Sequence, residues 1–139
     1  MTQLTQADAQ RLVDAALERA RETGVAVSVA VMDAGRELLA FTRMDGALLV
    51  SIETALGKAY AARSLNRATG DIAPDTQPGG PFYALEHAVR QPFVTFGGGD
   101  VVRVGDDVVG AVGIAGGSIE QDQDILAAAL HAVPDPAAA

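Results

Sequence analysis

The sequence predicts an α+β domain in which helices pack on a mainly antiparallel sheet of five strands. Two runs of strand-like residues are joined by connections too short for parallel crossovers, Asp33-Ala34-Gly35-Arg36 and Gly105-Asp106-Asp107, so each reads as a hairpin. Segments with helical spacing lie at both ends and in the middle, outside those hairpins. The hairpins exclude a doubly wound parallel sheet.

Taken in order, Thr5 with Asp8 forms a capping pair, and Ala9, Leu12, Val13, Ala16, Leu17 and Ala20 recur at helical spacing up to Gly24. Val25, Val27, Val29 and Val31 alternate with Ala26, Ser28, Ala30 and Met32, a strand with both faces covered; Glu37 to Thr42 is its hairpin partner. Arg43 to Gly46 forms a loop. From Ala47 to Leu65 a second helix carries Gly57 in its interior, at a cost of roughly 1 kcal/mol against Ala, so something packs tightly there. Asn66 to Pro81 has no periodicity and contains Pro74, Pro78 and Pro81. It reads as a long loop, either a lid over a site or a surface loop ordered by a neighbouring subunit. Phe82, Leu85 and Val89 suggest a short helix bearing His87; Phe93–Phe96, Val101–Val104 and Val108–Ala115 read as three further strands. Gly97-Gly98-Gly99 is either a flexible hairpin or a close approach to a bound molecule.

The chain is organised around its last strand, turn and helix, VVGAVGIAGGSIEQDQDIL. Ser118 and Gln121 form a capping box, and Glu120, Asp122 and Asp124 sit where the positive end of the helix dipole favours carboxylates. Those carboxylates would repel a phosphate, and neither the dinucleotide fingerprint nor a P-loop lysine is present. The helix is expected to end near Val133, with a frayed tail from Pro134.

Composition bounds the function. The 139 residues make one domain, with 49% hydrophobic and 20% charged residues. A net charge of −8 argues against nucleic-acid and anionic-membrane partners. No cysteine means no thiolate chemistry, and no stretch reads as a leader or a membrane span, so the expected compartment is the cytoplasm. Lys58 is the most interesting charge, because Thr54, Ala55, Ala61 and Ala62 offer it no helical partner. It is either a solvated surface lysine or one that finds an anion elsewhere. If it lies in a cleft closed by Gly116-Gly117, it faces Glu120 or Asp122.

In spacing, VAVMDAGRELLAFTRMDGA (Val29–Ala47), SIETALGKA (Ser51–Ala59), QPGGPFYALE (Gln77–Glu86) and FGGGDVVRVGDDVVGAVGIAGGSIEQD (Phe96–Asp122) resemble the GlcG/HbpS family, which includes the C-terminal domain of PduO-type corrinoid adenosyltransferases. The resemblance implies a profilin-like antiparallel sheet flanked by helices and assembly into homo-dimers or larger oligomers. It further implies a small-molecule ligand, with haem or a corrinoid as candidate cofactor, held between subunits against the Gly-rich turns and the Pro78–Pro81 loop. The residues matching the family pattern make Arg43, Met44, Asp45, Pro78, Gly79, Gly80, Gly97, Gly98, Gly116, Gly117 and Gln121 candidate ligand-binding residues. For an axial ligand the chain offers His87 and His131, with Tyr60, Tyr83 and Met44 as weaker donors. A second expectation is a cofactor-independent enzyme acting on a carboxylate-bearing metabolite. In it Lys58 or Arg43 holds the anion and Glu120 or Asp122 is the general acid or base, set against the plainer role of first-turn carboxylates in stabilising their helix.

Overall fold

The computed structural model describes residues 3–133. The first helix, α1 (Gln6–Thr23), opens on a full capping box. The Thr5 hydroxyl accepts the Asp8 N–H at 3.1 Å, the Asp8 carboxylate accepts the Thr5 N–H at 3.0 Å, and Gly24 closes the helix at φ 71°. Strands β1 (Ser28–Asp33) and β2 (Leu38–Arg43) form the expected hairpin; β3 (Gly99–Val104) and β4 (Asp107–Ala115) form the second. Between the hairpins run α2 (Ser51–Leu65), α3 (Thr69–Thr76) and a single 3-10 turn (Leu85–Ala88), and α4 (Ile119–Leu130) ends the described chain.

The sheet is fully antiparallel with order β2-β1-β4-β3, so each hairpin contributes one central and one edge strand. Helices α1 and α4 cover one face and α2 the other. Alternation along β1 explains this division. Val29 and Val31 join Leu12, Val13 and Ala16 of α1 and Ile125 of α4 in the larger core, while Ala30 and Met32 face Ala55 and Ala59 of α2. A fully buried Leu12 contributes about 1.5–3 kcal/mol, and its loss to Ala costs about 2–5 kcal/mol. The α2 layer is built from small residues. A methyl group on Gly113 would overlap the Ala55 carbonyl oxygen, and one on Gly57 would lie 2.6 Å from a Val94 methyl, which is the tight packing its place in the helix implied.

Several expectations are corrected. The sheet has four strands rather than five, because Phe93–Phe96 pairs with no strand. The Val94 N–H donates to the Gly57 carbonyl at 3.2 Å and its side chain packs on α2. The supposed loop 66–81 contains α3, anchored by Ile72 and Thr69, both fully buried, despite Pro74 within it. The segment after Pro81 forms only the one 3-10 turn, entered through Ala84 at φ 69°. Helix α2 starts at Ser51 instead of Ala47, preceded by a turn that exposes Leu48, Leu49 and Val50. Helix α4 stops at Leu130, short of Val133, and the expected tail from Pro134 lies outside the described residues.

Candidate functional site

Lys58 sits in the middle of α2, where every position from Gly57 to Ala62 is buried. Its side chain is 1% exposed and crosses the end of the sheet, where Nζ donates to the Ile114 carbonyl at 2.7 Å and to Oδ2 of Asp122 at 3.1 Å. The ammonium also lies 5.0 Å from the centre of the Phe96 ring, within cation–π range. Burial pushes the Lys58 amine below its usual range, and Asp122 pulls it part of the way back.

The partner carboxylate is placed by the turn after β4. Ser118 caps α4, with its hydroxyl accepting the Gln121 N–H at 3.1 Å and its own N–H donating to Gln121 Oε1 at 2.9 Å. One residue further on, Asp122 points back under the turn, and Oδ1 accepts the Gly117 N–H at 2.9 Å. One carboxylate thus ties the lysine on α2 to the β4–α4 turn. Gly116 makes that turn possible at φ 134°, since a side chain there would lie 2.6 Å from the Ala26 carbonyl oxygen. Gly98, at φ 126°, passes so close that a methyl would lie 2.6 Å from both Lys58 Nζ and the Ile114 oxygen. The Gly97–Gly99 run therefore approaches the protein's own lysine and is not a hairpin tip; its Gly99 N–H donates to the buried Thr69 hydroxyl at 2.9 Å.

Above this pair lies a cleft of about 140 Å³, lined by Ser51, Thr54, Lys58, Phe96, Gly116 and Asp122, with Leu48 and Val50 at its mouth. The Ser51 hydroxyl is already paired with that of Ser28 at 2.7 Å.

Of the residues singled out from the sequence, the structure brings together Lys58, Asp122, Gly98, Gly116 and Gly117. Glu120 does not face the lysine. It is exposed and forms no ion pair among the described residues, so of the two candidate anions only Asp122 meets Lys58. Gln121 is occupied with the cap, and Gly97 lies buried beneath Ile119 and Gln123. Pro78, Gly79 and Gly80 form a turn after α3 in which Pro78 and Gly79 are exposed and Gly80 is half-buried, its N–H donating to the Gln77 carbonyl at 2.8 Å, and they line neither cleft. Arg43, Met44 and Asp45 line a different cleft of about 330 Å³ with Leu17, Arg21 and Thr42. There Met44 Sδ accepts the Val27 N–H at 3.4 Å, and neither Arg21 nor Arg43 forms an ion pair among the described residues. His87 and His131 are exposed and line neither cleft; Tyr60, on α2, is buried and Tyr83 is exposed elsewhere. No cluster of three metal-binding side chains occurs among the described residues.

Sequence reasoning missed Phe96, Ser51, Thr54 and Arg21. An aromatic residue opening a triple-glycine run was the available signal for Phe96; the other three carry none that separates them from ordinary helix positions.

Residues 4–131 match the family described as haem degrading protein HbpS-like. A corrinoid adenosyltransferase, PduO of Salmonella typhimurium, is 42% identical over 127 residues, 91% of this chain; the chain spans only 38% of that relative's length. Among solved structures, the Klebsiella pneumoniae protein ORFY superposes with a TM-score of 0.90 at 39% identity, covering 96% of this chain and 92% of that one. A PduOC:heme complex superposes at 0.89 with 40% identity, covering 94% and 95%. No helix among the described residues is long and apolar enough to cross a membrane.

Proposed function

From the premise that the chain belongs to the HbpS-like family, we propose that it binds a tetrapyrrole of the haem or corrinoid class between subunits, at the cleft of Arg21 and Arg43. The observation that carries this reading is that cleft. Its volume of about 330 Å³ lies in the range of small-molecule sites, whereas the 140 Å³ cleft above Lys58 falls below it. Leu17 and Met44 offer apolar wall to a ring, and two guanidinium groups without ion-pair partners among the described residues suit carboxylates at its edge; the Asp45 carboxylate, which also lines the cleft, opposes an anionic group. The heme complex of the 40% identical PduOC supports the same ligand class. For a central metal, Met44 is the one soft donor lining the cleft, and a bound tetrapyrrole would bring the metal's redox and ligand-exchange chemistry to it. The turn beside it, with Leu48, Leu49 and Val50 exposed at 62%, 74% and 58%, is the surface a second subunit would cover.

Hemin added to the purified protein should shift and sharpen the Soret band with saturation. Arg21→Gln and Arg43→Gln should each weaken binding by roughly tenfold or more, the worth of one charge-assisted hydrogen bond. No spectral change with hemin or with a cobalamin would sink the proposal.

A second reading rests on the buried Lys58–Asp122 pair lining the smaller cleft: a small enzyme acting on a carboxylate-bearing metabolite above that pair. Lys58 would hold the anion and Asp122 move the proton. Saturation-transfer NMR with a panel of short carboxylic acids tests it. A transfer signal that disappears in Lys58→Met while the fold persists would support this reading, and the absence of a signal with every acid would end it.

A further inference from the structure

We propose that the concavity between the β1–β2 turn and the last turn of α2 is a binding site for a compact oxyanion of two or more charges, of the phosphoryl or polycarboxylate class, held by Arg36 and Arg63. The site lies at the opposite end of β1 from the clefts already described, about 17 Å away at ~3.3 Å per residue. It is a concavity of about 440 Å³ lined by Ala34, Gly35, Arg36, Arg63 and Ser64.

Both guanidinium groups are held in place by neutral partners. Arg36 stacks 4.7 Å from the centre of the Tyr60 ring and donates to the Ser64 hydroxyl at 3.2 Å, while that hydroxyl donates to the Tyr60 carbonyl at 2.7 Å. Arg63 donates through Nε to the Ala34 carbonyl at 2.7 Å and through Nη1 to Asn66 Oδ1 at 2.5 Å. Neither has a carboxylate within ion-pair distance among the described residues. In a chain with 18 acidic side chains against 10 lysines and arginines, two neighbouring cations left without one run against the charge balance. Of the two acids nearest Arg36 in sequence, Glu37 is exposed and forms no ion pair among the described residues, and Asp33 is committed to the turn, where Oδ1 accepts the N–H groups of Gly35 and Glu37 at 2.8 and 3.0 Å. The Nη2 groups of both arginines and Nε of Arg36 make no hydrogen bond among the described residues, leaving donors in the fork geometry that matches an oxyanion.

The backbone supplies an independent observation. Arg36 sits at φ 66°, a left-handed conformation that glycine adopts freely and arginine does not. An arginine kept where glycine would be easier points to use of its side chain, since strained residues persist where function demands them.

The same residue provides the test. Arg36→Gly should melt higher than wild type without ligand, because it relieves the left-handed strain, and should lose anion binding. Thermal melts and calorimetric titrations with inorganic phosphate, pyrophosphate and citrate, against chloride at equal ionic strength, should show saturable stabilisation of wild type. The ranking of pyrophosphate against citrate separates the phosphoryl from the polycarboxylate source. Arg36→Gly and Arg63→Gln should each weaken binding at least tenfold. Equal stabilisation of wild type and variants, or none beyond chloride, overturns the proposal. So does a drop in assembled mass of Arg63→Gln by light scattering without saturable anion binding, which would assign the arginines to carboxylates of a second copy.

Discussion

Lys58 and Asp122 lie 64 positions apart and meet at 3.1 Å, each almost without solvent exposure, so that one ion pair joins the helix on one face of the sheet to the first turn of a helix on the other. The pair works as a unit. Asp122 also accepts from Gly117 and Lys58 also donates to Ile114, so removing either residue strands groups that water does not reach.

Lys58→Met keeps much of the apolar stem and deletes the charge. It is expected to cost about 3–5 kcal/mol, because Asp122 is left buried without its cation. The double variant Lys58→Met/Asp122→Asn should cost clearly less than the sum of the single changes, measured by urea unfolding. A single-variant cost under about 0.5 kcal/mol, the range of an ordinary surface position, would refute this role. Since burial holds the Lys58 amine below 10.5, the folded state releases this proton before the unfolded chain does. The contribution of this group to stability therefore rises with pH up to about 10.5, and Lys58→Met should lack that rise.

Asp100, at the edge of β3, shows the opposite sign. Burial raises its carboxyl above 3.8 against the lowering effects of the Val101 N–H and Arg103, so the folded state prefers the protonated form and stability from this group falls as pH rises above 3.8. Asp100→Asn keeps an acceptor for Val101. It should melt higher than wild type at pH 7, by at most a few degrees, and the two curves should converge near pH 3. Equal melting at pH 7 would place the carboxylate in water.

The two turn glycines should differ. At Gly116 a methyl meets the Ala26 carbonyl oxygen at 2.6 Å and the Val27 Cα at 3.0 Å with φ at 134°, whereas at Gly117 it meets the side chains of Gln121 and Val25 at 2.8 and 2.9 Å. Backbone does not give way as side chains do, so Gly116→Ala is expected to cost about 2 kcal/mol or more and Gly117→Ala about half that. Gly117→Val, which crowds both side chains further, should fall between them. A reversed order of urea midpoints would contradict the assignment of the strained position.

Leu49→Glu places a charge on the turn before α2, where the exposed Leu48-Leu49-Val50 run is the proposed subunit surface. Wild type should scatter light as a multiple of the single-chain mass and the variant as a smaller species with unchanged circular dichroism. A monomeric wild type across micromolar concentrations would remove the subunit-bridged site.

Much of the frame was legible because local chemistry and tertiary structure agree. Thr5 with Asp8 and Ser118 with Gln121 mark helix starts, valine alternation marks β1, and the absence of helical partners for Lys58 signalled an anion elsewhere. The failures occur where distant contacts decide. Phe93–Phe96 has strand composition but is held by Gly57 on a helix, and α3 forms across Gly70 and Pro74 because Ile72 and Thr69 are buried, Thr69 against Gly99. In the candidate site, Phe96 and Arg21 acquire meaning only when the fold sets them beside Lys58 and Arg43, a juxtaposition that no local pattern encodes.

The thin alanine and glycine layer between α2 and the sheet has a calorimetric consequence. Unfolding it releases methyl groups and peptide backbone, where a leucine or phenylalanine layer would release large hydrocarbon surfaces. Apolar hydration raises the heat capacity of unfolding and peptide hydration lowers it, so the increment for this chain should fall below the usual ~12–15 cal/mol/K per residue. A smaller increment flattens the dependence of stability on temperature, so the fold should lose little of its stability on cooling and its cold denaturation should recede further below freezing.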